Sequence, residues 1–250
     1  MTEITNRSGF PQLLYTKKYI FNGIRVLRKY LLTSLENQSC KDFKWILLLG
    51  KKANISYIKS IINLNYSFEA KIMYRKDIKN YVKNISRGFD ILITSRIDYD
   101  DRIYYDAVND VRKVINIDRP IQLHGYNRGF IYYEQIKKYF KFYKTFGNKG
   151  VMSIFASLII VLNKVNDTYT IIDVGPHLSL RDEIINNYKK YGLHKLDYEP
   201  AIFDSGAPKI VYVRQKYSGT YNSSNPIRKN LKSVYFNLNK FYGFDILNKI

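Results

Sequence analysis

Apolar runs of strand length, alternating with apolar residues at helical spacing, constrain this chain more than any other feature of its sequence. Residues 43–50 (FKWILLLG) form a nearly continuous apolar run closed by glycine, as a strand buried on both faces requires. Residues 69–74 (EAKIMY) and 89–95 (FDILITS) read as two more strands. Around these runs the apolar spacing switches to three and four. Ile24, Leu27, Leu31 and Leu35 predict a helix over 23–35, and Ile58, Ile61 and Ile62 one over 55–64. Ile78, Val82 and Ile85 predict a helix over 77–86, and Ala107, Val108, Val111 and Val114 one over 104–115. Strand and helix in turn imply βαβ units, a mostly parallel sheet with helices on both faces, and right-handed crossovers.

Past residue 116 the rhythm changes. Residues 121–124, 129–134 and 139–145 are short, aromatic and separated by turn signals, so antiparallel strands added to the parallel sheet are expected. A very apolar stretch covers 151–162, strands are expected at 169–174 and 209–213, and a helix at 178–191. Residues 218–225 (SGTYNSSN) read as a linker. Beyond it, Ile227, Leu231, Val234, Leu238 and Phe241 lie at spacings of 4, 3, 4 and 3, with Arg228, Lys229, Lys232 and Lys240 on the other side. That is a basic amphipathic helix over 226–250, which either packs on its own domain or lies on an anionic membrane. The expected division is a main domain over 1–217, with halves of about 1–116 and 117–217, then linker and helix.

Composition narrows the class. The chain has 250 residues, 46% hydrophobic and 25% charged, as globular proteins do. Its 41 Lys and Arg against 21 Asp and Glu leave +20. A lone cysteine, Cys40, forms no internal disulfide, and no Cys/His cluster has zinc-site spacing. The first apolar stretch, 10–24, is broken by Pro11, Lys17, Lys18 and Asn22, and so reads as neither signal peptide nor membrane span. A cytoplasmic protein, soluble or peripheral to a membrane, is expected. The 24 tyrosines, with abundant Asn, Lys and Ile, fit a coding bias that also inflates the positive charge.

In so basic a chain the informative feature is a knot of negative charge, Arg96-Ile97-Asp98-Tyr99-Asp100-Asp101, directly after the strand over 89–95. Ligands of open α/β sheets bind beyond the carboxyl ends of the strands, where this segment falls. Three carboxylates within four residues repel one another unless something positive offsets them. A hard divalent cation with oxygen ligands, which leaves positions open for phosphate oxygens, is one answer. The other is an acidic loop whose Asp100 or Asp101 caps the next helix.

A strand ending in Asp-x-Asp inside an N-terminal βαβ domain resembles nucleotide-sugar glycosyltransferases of the GT-A type. The longer string SRIDYDD, with SLENQSCKDFKWILLLG before it, resembles the rhamnosyltransferase-like family found in bacteria and in the large DNA viruses of chlorella. The resemblance runs over roughly residues 13–222. It implies a GT-A-like fold, with a nucleotide-binding half followed by an acceptor half. It also implies transfer of a rhamnose- or glucose-like sugar from a nucleotide diphosphate sugar, most naturally UDP-linked, to a glycan or glycoprotein hydroxyl, with Mn²⁺ or Mg²⁺.

Carried over by position, the resemblance makes Asp98 and Asp100 the metal ligands, with Asp98 also at the donor. Asp101 becomes the additional carboxylate of the subgroup, a catalytic candidate in contact with the metal or the donor sugar, and Arg96 the basic residue before the motif, which touches the nucleotide or fixes the carboxylates. A first strand over 12–16 would end at Thr16 and Lys17, where such folds meet the nucleotide, and Arg25 matches an arginine typical of the family. Arg75 joins the donor set because it follows the strand over 69–74 at the same sheet edge. His177, in VGPH, stands where many of these enzymes supply a late histidine to metal or pyrophosphate; its other reading is a loop histidine bonded to backbone. Gln215 stands where a histidine is expected. An inverting reaction needs a carboxylate to take the acceptor proton, and Asp204, in FDSGAP, is preferred over Asp173 and Glu199. His124 and His194 read as structural or solvated.

A rival reading uses the charge and the Tyr/Lys/Arg interleaving at 132–144 for nucleic-acid binding or a metal-dependent nuclease. The even spread of basic residues and the absence of a recognition motif weigh against it, so no nucleic-acid partner is expected.

Overall fold

The computed structural model describes residues 2–3, 16–126, 128–135, 137–143, 155–174, 180–191 and 210–214. Helix α1 (Lys17–Leu27) begins where Thr16 Oγ1 accepts from the Tyr19 amide at 3.3 Å. It buries Ile20, Gly23, Ile24, Val26 and Leu27. The helix widens into a π-helical turn over Arg28–Leu32 before closing as α2 (Thr33–Glu36). The extra residue in that turn brings three consecutive side chains inward, Tyr30, Leu31 and Leu32. Thr33 Oγ1 donates to the Arg28 carbonyl at 2.8 Å, satisfying a group at the widened turn.

Strands β1 (Thr2–Glu3), β2 (Lys44–Leu49) and β3 (Glu69–Tyr74) form a parallel sheet in the order β1-β2-β3. Helix α3 (Ile55–Ile61), capped by Asn54, connects β2 to β3, and α4 (Ile78–Ile85) follows β3. Strand β4 (Ile91–Arg96) lies in a second sheet, antiparallel to β9 (Ala156–Val161), which in turn pairs antiparallel with β6 (Ile121–Gly125). A third sheet has the order β5-β10-β7-β8, from β5 (Arg102–Ile103), β7 (Arg128–Tyr133), β8 (Lys138–Tyr143) and β10 (Ile210–Arg214). There β7 and β8 form an antiparallel hairpin, while β10 runs parallel to β7 and antiparallel to β5.

Alternate residues of β2 serve two cores. Trp45, Leu47 and Leu49 join α1, α3, β5 and α5 (Ala107–Lys113) on one face. Ile46 and Leu48 join α4, β6, alternate residues of β9, α6 (Ile171–Val174) and α7 (Leu180–Asn186) on the other. The protein is thus mixed α/β with helices on both faces; β2, β3, β4, β6, β7, β8 and β10 lie within two residues of the expected strands, whereas β1, β5 and β9 were not expected as strands.

Three expectations need correction. Parallel pairing holds for β1–β3 and β7–β10 only; the other four strand pairs among the described residues are antiparallel. Two of these four involve β9, which inserts between β4 and β6 with all six residues buried. The first described strand is β1, and Thr16, expected at a strand end, is instead the exposed cap of α1; residues 12–15 lie outside the described residues. Residues 169–174 do not form a strand. Asp173 Oδ2 accepts from both the amide and the hydroxyl of Thr170 at 2.9 Å, and this capping arrangement starts α6. The linker at 218–225 and the helix at 226–250 lie outside the described residues.

Candidate functional site: the acidic turn after β4

Two hydroxyls hold β4 in place. Ser95 Oγ and Ser157 Oγ on β9 lie 2.6 Å apart, and Thr94 Oγ1 accepts from the Ile171 amide that opens α6 at 2.9 Å. The strand ends at Arg96, opposite Ala156 in the register. Beyond it the chain turns tightly, with the Asp101 amide donating to the Asp98 carbonyl at 3.3 Å. Ile97 and Tyr99 anchor the turn in the core, each 3% exposed. Asp98 is half-buried, whereas Asp100 and Asp101 are each only 4% exposed. Two carboxylates so far from water are costly unless the protein or a bound ligand answers their charge.

Asp100 and Asp101 do not stand at the start of the next helix. Strand β5 follows the turn directly, and α5 starts at Asp106, whose carboxylate accepts from Asn109 at 2.7 Å and from Lys113 at 3.0 Å. This removes the plainer of the two sequence readings. Arg96, Asp98, Asp100 and Asp101 are therefore gathered on one turn. Lys17 meets α3, its ammonium 5.7 Å from the Tyr57 ring, and Arg25 sits exposed in the last turn of α1 near Glu134. Arg75 opens a 3₁₀ turn just past β3, half-buried. His177 and Asp204 lie outside the described residues, as do His194, Glu199 and Gln215. Asp173 caps α6, and His124 is a core residue on β6, 3% exposed and edge-on to Tyr126.

Behind the turn lies a polar cluster that sequence reasoning did not find. The Arg102 guanidinium, on a residue 6% exposed, sits 4.8 Å from the centre of the Tyr30 ring. The Tyr30 hydroxyl donates to Glu134 Oε1, and Lys29 Nζ lies 3.0 Å from the same oxygen. Tyr132 on β7 stacks on Tyr139 of β8, ring centres 4.5 Å apart, and both phenols feel the Arg102 charge. Burial pushes the Glu134 carboxyl up, but donation from Tyr30 and Lys29 outweighs it and holds the group below its ordinary value. Burial, then Glu134, drives the Tyr30 phenol well above its ordinary value. The available signal was weak: one glutamate at the end of an aromatic strand, and a tyrosine whose inward aim depends on the π turn.

Asp98 and Asp100 offer hard oxygen donors suited to Mg²⁺ or Mn²⁺. Among the described residues, no three His, Cys, Asp or Glu side chains converge as a cation cage. Mg²⁺ is ordinarily held by one or two carboxylates, with substrate phosphates and water filling the remaining positions, so a pair of aspartates fits that mode. A largely apolar cavity of 330 Å³ lies between β2 and β4, lined by Trp45, Ile93, Ile97 and Phe155 among others; it touches the start of the turn at Ile97 and is not lined by the carboxylates. Among the described residues no helix is long and apolar enough to cross a membrane. No protein-family model matches the chain, and no curated protein matches it.

Proposed function

We propose that this protein is a metal-dependent glycosyltransferase of the GT-A type, similar to the rhamnosyltransferase-like family, that acts in the cytoplasm. It moves a sugar from a nucleotide diphosphate sugar, with UDP as the expected nucleotide, to a hydroxyl of a glycan acceptor. The observation that carries this reading is the turn after β4, where half-buried Asp98 and deeply buried Asp100 and Asp101 follow one another beside Arg96. The string SRIDYDD supports it from the sequence side.

In this reading Asp98 and Asp100 hold Mn²⁺ or Mg²⁺. When bound, the cation offsets the negative charge that gathers on the departing diphosphate. Arg96 directs a guanidinium at the diphosphate, a charge-assisted and geometrically specific contact. Thr16, Lys17, Arg25 and Arg75 form the rest of the proposed donor set. Asp101 orients the donor sugar or takes the proton from the attacking hydroxyl, and Asp204 is the second candidate for that proton. His177 is the proposed late ligand. Arg102, held by the Tyr30 ring, keeps the following strand and hence the turn in register.

Thermal melting with UDP, GDP and dTDP, each with and without Mn²⁺, tests the reading on wild type, Asp98→Asn and Asp100→Asn. A ligand at about a hundred times its dissociation constant adds ~2.7 kcal/mol, which a melting curve resolves. The expected result is a metal-dependent shift for one nucleotide that both variants lose. No shift with any nucleotide, together with salt-sensitive binding to random DNA, would sink the reading in favour of a nucleic-acid-binding protein or nuclease.

A further inference from the structure

Helix α1 shows the solvent a basic face with one aromatic ring in it. From Lys17 through Lys29 the chain carries five cations, Lys17, Lys18, Arg25, Arg28 and Lys29, and no carboxylate. All five are exposed, and Phe21, 55% exposed, stands among them. At about 100° per residue these six side chains fall within an arc of roughly 120°, with Phe21 inside it and cations on both sides. The opposite arc, from Ile20 to Leu27, is fixed to the core. The face is therefore rigidly presented, on a helix whose thirteen residues to Lys29 span ~20 Å.

Among the described residues, local partners answer part of this charge. Arg28 donates to the Ile61 carbonyl at the end of α3, and Lys17 lies over the Tyr57 ring. Lys29 meets the carboxylate of Glu134. Arg25 lies near the same carboxylate, and Lys18 is exposed beside Phe21, an aromatic ring that gains nothing from water. A convex cylinder with one central ring and a rim of long basic side chains matches a headgroup layer, in which the ring reaches the acyl boundary while the ammonium and guanidinium groups stay among phosphates. Single-stranded nucleic acid is ordinarily bound in a concave groove with successive stacking platforms, which this face lacks.

We propose that the outer face of α1 docks on an anionic lipid surface, with Phe21 at the acyl boundary and Lys17, Lys18, Arg25, Arg28 and Lys29 among the headgroups. The proposal does not rest on the transferase reading, but it shares Lys17 and Arg25 with the proposed donor set; Lys18 and Phe21 belong to this face alone. It places no residue in the acidic turn and needs no nucleotide.

Flotation of the full chain with vesicles tests it, comparing neutral phosphatidylcholine with the same lipid containing phosphatidylserine. Binding only to the anionic vesicles is expected, weakening as salt rises. Removing one cation in Lys18→Gln should lower partitioning about fivefold. Phe21→Ala should lower it as well, while binding to single-stranded DNA stays as in wild type. Because these side chains are exposed, both variants should melt with the wild type, which separates docking from folding. Two lysines away from the helix, exchanged together in Lys76→Gln with Lys164→Gln, control for the +20 of the whole chain. Equal loss in that control, or no binding to anionic vesicles, would overturn the proposal. So would a Phe21→Ala protein that binds vesicles as wild type does while DNA competes for the face; that result assigns the face to nucleic acid.

Discussion

The Tyr30 hydroxyl donates to Glu134 Oε1 at 2.5 Å, across 104 residues of chain, and the ring of the same tyrosine lies under the Arg102 guanidinium. One side chain thereby joins the π turn of the first helix, the end of β7, and the strand that leaves the acidic turn. Tyr30→Phe keeps the ring and removes the donor, so it isolates the hydrogen bond. A bond to a charged acceptor at a half-buried site contributes about 1–2 kcal/mol. Urea denaturation should show the midpoint falling by that amount divided by the slope, with the slope itself unchanged. An unchanged midpoint would mean water replaces the phenol without loss.

Acid stability should depend on the same carboxylate. Glu134 is held below its ordinary value of 4.5, because Tyr30 and Lys29 outweigh the upward push of burial. Its folded form binds protons less readily than the unfolded chain. The stability it contributes is therefore full above the ordinary carboxylate range and lost as pH falls through the lowered value. Asp106 and Asp167 are lowered in the same direction, Asp106 by Ser39, Asn109 and Lys113 against burial, and Asp167 by Lys79. Melting temperature followed below about pH 5 should fall less steeply for Glu134→Gln than for wild type. Parallel curves would place the acid sensitivity elsewhere.

Much of this architecture was legible in the sequence, and the legible part shares a physical cause. FKWILLLG, EAKIMY and FDILITS announce β2, β3 and β4 because burial on one or both faces writes itself into consecutive residues. The helical stripes at Ile58 and Ile62, or at Ile78 and Val82, do the same at a longer period. Pairing is another matter. Nothing local tells β9 to lie antiparallel between β4 and β6, or β10 to lie parallel to β7, since each partner is far away in the chain. Tyr169–Val174 misled because Thr170 and Asp173, a cap spaced three apart, sit inside a run that is apolar enough for a strand. Of the site, the acidic turn was visible and its environment was not: Tyr30 and Glu134 meet only once the π turn and the β7–β8 hairpin are built.

Thr94 offers a test of how β4 is fixed. Its hydroxyl, on a residue 6% exposed, accepts from the Ile171 amide at 2.9 Å. Thr94→Val preserves shape and strands that amide in the core, which should cost about 1–3 kcal/mol. Thr94→Ser keeps the acceptor and should recover most of the loss. If both variants destabilise equally, the methyl group rather than the hydrogen bond is what matters there.

Leu47 sits at the centre of β2, fully buried, opposite Thr2 on one side and Ile72 on the other. Leu47→Ala should cost roughly 2–5 kcal/mol through lost burial and the cavity left behind. Lys59→Ala, on the exposed side of α3, should stay within about 0.5 kcal/mol of wild type. Chemical denaturation of the two side by side checks whether the sheet core carries the stability.

Ser157 follows Ser95 by 62 residues, and that interval has a meaning for the protein as it is being made. At about 5–20 residues per second, the turn bearing Asp98, Asp100 and Asp101 leaves the ribosome roughly 3–12 seconds before the strand that holds its near side. The partner of its far side, β10, comes later still. Throughout that wait β4 is an apolar edge without its neighbour, open to chaperones and to other nascent chains. Translation that stalls before residue 156 therefore releases an unshielded fragment for degradation, not a smaller working unit.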